Sequence, residues 1–269
     1  MKKKLLLVAA FVGLTTAVSA QEKMGIFNHL GAGVEVGTTG IGFEVGAPIT
    51  DYVQVRAGMA IVPSFTVNDI NVKLNISNSN WQTVSAYPQS PLYGETKPTN
   101  LTIAGKATKT DGKLLVDVFP FKSTSFHFTV GFYVGNSQII DVYNTNNQPI
   151  LAKISKYNEN PYENIGKIGL AVGDRLITPS SNGTANAIVK VNSFKPYVGI
   201  GFGRVVPKKT RLAFACDLGV QFWGTPEIWM QDVKIDKDSS IDGDGGIIKT
   251  ISKITVYPCM NFRLTGRIF

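Results

Sequence analysis

Strict alternation between apolar and small or polar positions runs through much of this chain. Leu30, Ala32, Val34 and Val36 alternate with Gly31, Gly33 and Glu35. After Gly37-Thr38-Thr39-Gly40, the row Ile41, Phe43, Val45 and Ala47 alternates with Gly42, Glu44 and Gly46. Val53, Val55, Ala57, Met59 and Ile61 then alternate with Gln54, Arg56, Gly58 and Ala60. Leu114, Val116 and Val118 against Leu115, Asp117 and Phe119 is a weaker case. Phe126 to Val134 sets Phe and Val against His127, Thr129, Gly131 and Tyr133, and Phe194 to Phe202 sets Phe194, Val198, Ile200 and Phe202 against Lys195, Tyr197, Gly199 and Gly201. Leu212 to Phe222 carries Cys216 on its apolar row and Asp217 on the other, and Met260, Phe262 and Leu264 alternate with Asn261, Arg263 and Thr265. A period of two belongs to strands and not to helices. Eight strands are therefore predicted.

The make-up of the two faces decides what kind of β-structure this is. A soluble sandwich also alternates, but its exposed face is rich in Thr, Lys and Glu, because glycine weakens a strand unless space is tight. Here the apolar face is rich in Phe, and the other carries Gly, Ala and isolated charges. That is the pattern of a narrow barrel whose apolar face looks outward to lipid and whose inside is small and polar. The predicted class is all-β, an antiparallel transmembrane β-barrel of eight strands with long extracellular loops.

Connection lengths point the same way. Short turns fall at Pro48–Asp51, Lys122–Thr124 and Pro207–Thr210, and long polar links cover 68–112, 136–193 and 224–255. Short and long links alternate, as in barrels with periplasmic turns and external loops. The first outer link, Thr38-Thr39-Gly40, is the exception. A structureless link over 136–193 would be unusual, so segments such as Ala187 to Val191 are expected to extend strands or add a hairpin.

The ends and the composition narrow the setting. Lys2, Lys3 and Lys4 precede an apolar run from Leu5 to Val18, and Val18-Ser19-Ala20 supplies small residues for a signal peptidase. Residues 1–20 therefore read as a signal peptide, too short for a stable span, and 21–269 as the barrel domain. Gln21, not Cys, would begin the mature chain, so no lipid anchor is indicated. Charged residues make up only 17%, and the net charge of +8 suits anionic headgroups but is too diffuse for nucleic acid. The two cysteines lack metal spacing. Alternation places Cys216 on the lipid side and Cys259 on the lumen side, which excludes a disulfide between them.

With these residues in view, the chain resembles the small outer-membrane β-barrels of Gram-negative bacteria, of OmpA-like and OmpX-like architecture, over about residues 25–269. The resemblance implies export to the outer membrane, contact with its lipids and insertion by the barrel assembly machinery. It also implies an assembly signal in the last strand, carried here by Phe262, Leu264 and the terminal Phe269. Phe269 is out of step with Met260, Phe262, Leu264 and Ile268. Either a bulge near Gly266 resets the parity, or Ile268 carries the outward register.

The resemblance further implies that an enzyme of this kind would carry Ser/His or Asp/His groups at its outer rim. The two histidines, His29 and His127, both fall at the inner end, so such a site is hard to build, and His127 reads as a hydrogen-bonding lumen residue. The acidic stretch Asp236–Gly245 fails as an EF-hand in both registers, with Ile241 or Ile247 where glycine is needed. No catalytic residue, cofactor or metal site is expected.

The lumen charges say more. Arg56 falls near the height of Glu44 and Asp117, and Arg263 near Asp217, with Glu35 somewhat higher. Charges enclosed in a narrow barrel must be paired, and eight strands leave an interior that side chains fill. These six residues are expected to form an ion-paired plug. Trp223 is assigned to the interface belt, Trp81 and Trp229 are left to the loops, and Lys208, Lys209, Arg204 and Arg211 are expected to meet inner-leaflet phosphates. The expected function is a non-enzymatic outer-membrane barrel whose loops serve recognition of an extracellular ligand, adhesion or envelope stability. A porin or transporter with extra strands, and a barrel enzyme acting on lipid, are the alternatives.

Overall fold

The computed structural model of the protein describes residues 24–73, 78–145, 149–172, 175–208, 210–230, 233–235 and 253–269. The signal-peptide stretch 1–20 and the acidic stretch Asp236–Gly245 lie outside them. In chain order the elements are β1 (Gly31–Gly37), β2 (Gly40–Thr50), β3 (Val53–Lys73), α1 (Asn78–Ala86), β4 (Asn100–Val118), β5 (Phe126–Gly135) and β6 (Gln138–Asn144). There follow α2 (Pro149–Glu159), β7 (Leu170–Val172), β8 (Arg175–Ile177), β9 (Asn186–Lys190), β10 (Phe194–Phe202), β11 (Leu212–Phe222), β12 (Glu227–Met230), β13 (Val233–Ile235) and β14 (Val256–Arg267).

Eight of these strands close a barrel in the order β1-β2-β3-β4-β5-β10-β11-β14, with β14 pairing back to β1, and every ladder is antiparallel. Alternation sorts the side chains by face. Phe43, Val130 and Phe214 are 57%, 50% and 65% exposed on the outer wall, while Glu44, Arg56 and Arg263 are each 1% exposed inside. This inverts the arrangement of a water-soluble domain, because apolar atoms cover the outside and ionised groups fill the centre.

Glycine makes the inside possible. Across the ladders Gly42 sits opposite Glu35, Gly58 opposite Glu44, Gly46 opposite Arg56, and Gly201 opposite both Asp217 and His127. At Gly201 a Cβ would lie 2.2 Å from the Asp217 carboxylate and 2.5 Å from His127 Nε2. Each long polar side chain thus leans into the space its neighbour vacates.

The β1–β2 link is a two-residue turn, Thr38–Thr39, closed by Gly37 and by Gly40 at φ +105°. At the opposite end the β2–β3 turn falls at Asp51–Tyr52, not within Pro48–Asp51, since β2 runs to Thr50 with an irregularity after Pro48. The β10–β11 connection is longer than the Pro207–Thr210 turn read from the sequence. It begins at Gly203 and folds back into the bore, burying Val205 and Val206 under Met24. Gly31 and Gly46 leave the room, because a Cβ on them would lie 2.1 and 2.6 Å from Val205. The β14 ladders continue to Gly266 and Arg267 without a bulge, so Ile268 keeps the outward parity and Phe269 lies just beyond, 64% exposed.

Beyond the rim the long links form one folded cap. β3 and β4 run past the barrel as a bulged hairpin, and the outer part of β4 pairs with β6, which leads on through β9 and β12 to β13. The segment around Ala187 is β9, one of these added strands, and a separate hairpin pairs β7 with β8. Helix α2 starts at Pro149, where a missing N–H costs nothing, and buries Leu151, Ile154 and Tyr157 on one face. Together with Trp81 and Val84 of α1, Leu92, Val189, Ile228 and Met230 they make a hydrophobic core separate from the bore.

Cys216 lies in the outward row between Phe214 and Leu218, whereas Cys259 faces inward at 3% exposure, and both are free thiols. The folded protein in detergent should therefore take up one equivalent of a membrane-permeant maleimide, at Cys216. Unfolding without reductant should raise this to two, read by mass spectrometry; zero in the unfolded state would mean a disulfide and a different β14 register.

Candidate functional site

The bore is filled in layers. Near its middle, Arg56 reaches Asp117 at 2.8 Å, Asp217 at 3.1 Å and Glu44 at 3.2 Å. Arg263 reaches Asp217 at 2.6 Å and Glu44 at 2.7 Å. Lys113 bridges Glu44 at 2.7 Å and Glu35 at 2.5 Å. The structure thus brings all six sequence-selected residues to one cluster, but Glu35 joins it through Lys113 and not through Arg263. Thr129 donates to Asp117 at 2.8 Å, and His127 Nε2 lies 2.9 Å from Asp217.

Above this cluster sits an aromatic layer, with Tyr133 and Tyr197 edge to face at 5.5 Å and Leu115 and Cys259 packed beside them. A second ionic layer follows, where Asp111 takes Lys195 at 2.6 Å and Lys109 at 3.0 Å. Lys109 also donates to Gln221 at 2.9 Å and lies under the stacked rings of Trp223 and Tyr257. Trp223 therefore faces the mouth of the bore beneath the cap and not the lipid interface, because its odd position shares the inward parity of Gln221. The named bore charges are Arg56, Arg263, Lys109, Lys113 and Lys195 against Glu35, Glu44, Asp111, Asp117 and Asp217, five of each sign. Such a set closes on itself and offers no spare charge to a passing ion.

The lower mouth is sealed as well. Gln54 exchanges two hydrogen bonds with the Val206 main chain, at 3.2 and 3.4 Å. Arg204, expected at the headgroups, is instead 4% exposed, lies 3.6 Å over the Phe119 ring and donates to the carbonyls of Asp51 and Thr124. It turns inward because Thr265 holds its carbonyl at 2.9 Å and places it beneath β14. Lys208 pairs with Asp51 at 3.1 Å, and that hydrogen bond holds the Asp51 carboxyl below its usual range. Lys209 lies outside the described residues.

His127 is fully buried between Asp217, the Ser125 carbonyl and the Phe119 ring, where no substrate can reach it, and His29 is 8% exposed near the lower end. Among the described residues no His, Cys, Asp and Glu cluster has metal-binding geometry.

The cap carries a groove on its sheet. One row crosses its sheet from Lys106 on β4 through Asp141 on β6 and Ile188 on β9 to Trp229 on β12. Tyr143 and Asn186 lie beside it, and together they line a groove of about 500 Å³. Trp229 is set in place: its Nε1–H donates to Glu227 at 3.1 Å, and the Lys190 ammonium lies 4.1 Å from its ring. Hydrogen bonds from Lys234 and then Trp229 hold the Glu227 carboxyl below its ordinary value. An aromatic face between a cation, a carboxylate and an amide can hold a polar ligand that has one flat apolar side. Trp81, by contrast, is core, 4% exposed with its N–H donated to the Glu95 carbonyl.

The sequence reading missed Lys109, Asp111 and Lys113. They keep period two, but the alternate positions Thr110 and Gly112 are not apolar, so no amphipathic signal marks the strand there.

Arg263→Ala leaves Glu44 and Asp217 short of a buried partner and should cost on the order of 3–5 kcal/mol. Lys153→Ala removes an exposed pair with Glu95 and should cost about 0–1 kcal/mol. Urea unfolding of both variants checks the difference. Gly201→Val should lose about 1–3 kcal/mol by overpacking His127 and Asp217, read the same way.

No protein-family model matches the chain, and no curated protein sequence matches it significantly. Among solved structures it is similar to CarO2 of Acinetobacter baumannii, at 15% identity and a TM-score of 0.48 over 91% of this chain and 100% of that one. It is also similar to CarO of Acinetobacter baumannii, at 12% identity and a TM-score of 0.44 over 92% of this chain and 99% of that one.

Proposed function

We propose that the protein is a non-enzymatic outer-membrane barrel that holds a folded recognition cap outside the cell. The observation that carries this reading is the inverted section of the barrel. A continuous outer belt of Val, Ile, Leu, Met and Phe surrounds a bore whose five cations and five carboxylates are mutually paired. Water cannot cover that belt at a reasonable cost, whereas the hydrocarbon of a bilayer can. Closure of the sheet leaves no strand edge to satisfy in lipid.

Within this reading Phe262, Leu264 and the terminal Phe269 serve as the assembly signal for the insertion machinery, and outer-membrane lipids surround the belt. The cap is the part that meets an extracellular ligand. Its groove beside Tyr143 and Trp229 is exposed, mixed in charge and carried on a rigid sheet, which is where binding groups are usually placed.

Two measurements test the reading. In a planar bilayer the protein should insert without stepwise conductance; steady channels would move the function into the bore. The double variant Tyr143→Ala, Trp229→Ala should stay folded and heat-modifiable on a gel yet lose at least tenfold of whatever cell-surface binding the parent confers. Glu44→Gln with Arg56→Met should keep that binding wherever it folds. The opposite pattern would reject the cap as the recognition site.

A further inference from the structure

At the end of the barrel away from the cap, a cleft of about 570 Å³ opens between the β4–β5 turn and the β10–β11 connection. Its outer wall is made by Phe202 and Phe214, which belong to the outward rows of β10 and β11 and are 61% and 65% exposed. The cleft therefore sits where the apolar belt ends, with one side toward hydrocarbon and the other toward water.

Its polar wall is cationic. The ammonium groups of Lys122 and Lys208 share the single carboxylate of Asp51, at 3.6 and 3.1 Å. The third cation, Arg204, is more than nine-tenths buried and lines the cleft. Its guanidinium donates to the main-chain oxygens of Asp51 and Thr124, at 3.4 and 3.2 Å, and rests on the Phe119 ring. Among the described residues no carboxylate lies within ion-pairing distance of it. Carbonyl dipoles satisfy its N–H groups but do not cancel its charge. Burial pulls the Arg204 pKa down to about 10, and the more distant charges of Asp51 and Asp117 offset only part of that shift. Three cations thus face one carboxylate beside two lipid-side aromatic rings.

We propose that this cleft binds the headgroup phosphate of one anionic phospholipid from the leaflet opposite the cap. The phosphate oxygens accept from Lys122 and Lys208 and lie in the field of Arg204, while the acyl chains run along Phe202 and Phe214. The two rings select a lipid over free phosphate, because they supply apolar contact that an inorganic ion cannot use. This inference rests on the reading of the outer belt as lipid-facing.

Native mass spectrometry of the full chain in a non-ionic detergent tests it, with phosphatidylglycerol or phosphatidylcholine added as probe. The wild type should retain one phosphatidylglycerol about tenfold more tightly than phosphatidylcholine, and millimolar inorganic phosphate should not displace it. Lys122→Gln with Lys208→Gln should remove that preference, while Lys153→Gln, on the cap, should leave it intact. Equal retention of the two lipids by the wild type overturns the inference without any variant, and so does displacement by inorganic phosphate. Insertion into phosphatidylcholine vesicles is measured on the same preparation. A barrel that inserts but shows no headgroup preference refutes the cleft alone, whereas one that fails to insert refutes the membrane reading and the cleft with it.

Discussion

In the middle of the bore two guanidinium groups and three carboxylates share one another's hydrogen bonds, and most of the architecture follows from keeping them paired. Arg56, Arg263, Glu44, Asp117 and Asp217 come from five different strands, β3, β14, β2, β4 and β11. Several of these pairs join neighbouring strands, but Arg56–Asp217 links β3 to β11 across the bore and Arg263–Glu44 reaches past β1, so the set is complete only when the sheet closes. Removing any one strand would strand charges in a low-dielectric interior, where each costs several kcal/mol. The ion pairs thus act less as net attraction than as a penalty on every other closure. Glycine is the complement of this rule, since Glu35, Glu44, Arg56 and Asp217 each lie opposite a strand neighbour with no side chain of its own.

The same alternation that sends charges inward sends Phe, Val and Leu outward, so the two faces are not independent. A one-residue slip in any ladder would place arginine on the apolar outer wall and phenylalanine in the ion cluster. Closure at both ends completes the plug. The Gly203–Val206 segment enters the lower mouth, and the Trp223–Tyr257 stack over Lys109 covers the upper one.

The cap is an extension of the barrel wall. On β4 the inward parity of Lys113, Asp111 and Lys109 continues to Ala107 and Ile103. At the rim this row changes from ionic to apolar, and it becomes the face on which the helices pack. The opposite row, which faces outward lower down, becomes the mixed face of Lys106, Asp141, Tyr143 and Trp229. One strand therefore passes from barrel wall to cap by exchanging the chemistry of its two faces.

Period two, the glycine-rich inner row and the short turns were enough to read an eight-stranded barrel from the chain, because they are local consequences of strand geometry. The same rows placed Glu44, Arg56, Asp117, Asp217 and Arg263 on the inner face, and the opposite parities of Cys216 and Cys259 excluded a bond between them. Tertiary structure decided what depends on shear and on distant partners. Glu35 pairs with Lys113 because of the stagger between β1 and β4, which are separated in the barrel by two strands. Trp223 and Arg204 turn inward because a cap and a re-entrant connection give them partners that local pattern does not encode. The three polar links became one domain for the same reason: Trp81, Ile154, Val189 and Ile228 carry no shared periodicity, and only their meeting over β4 makes them a core.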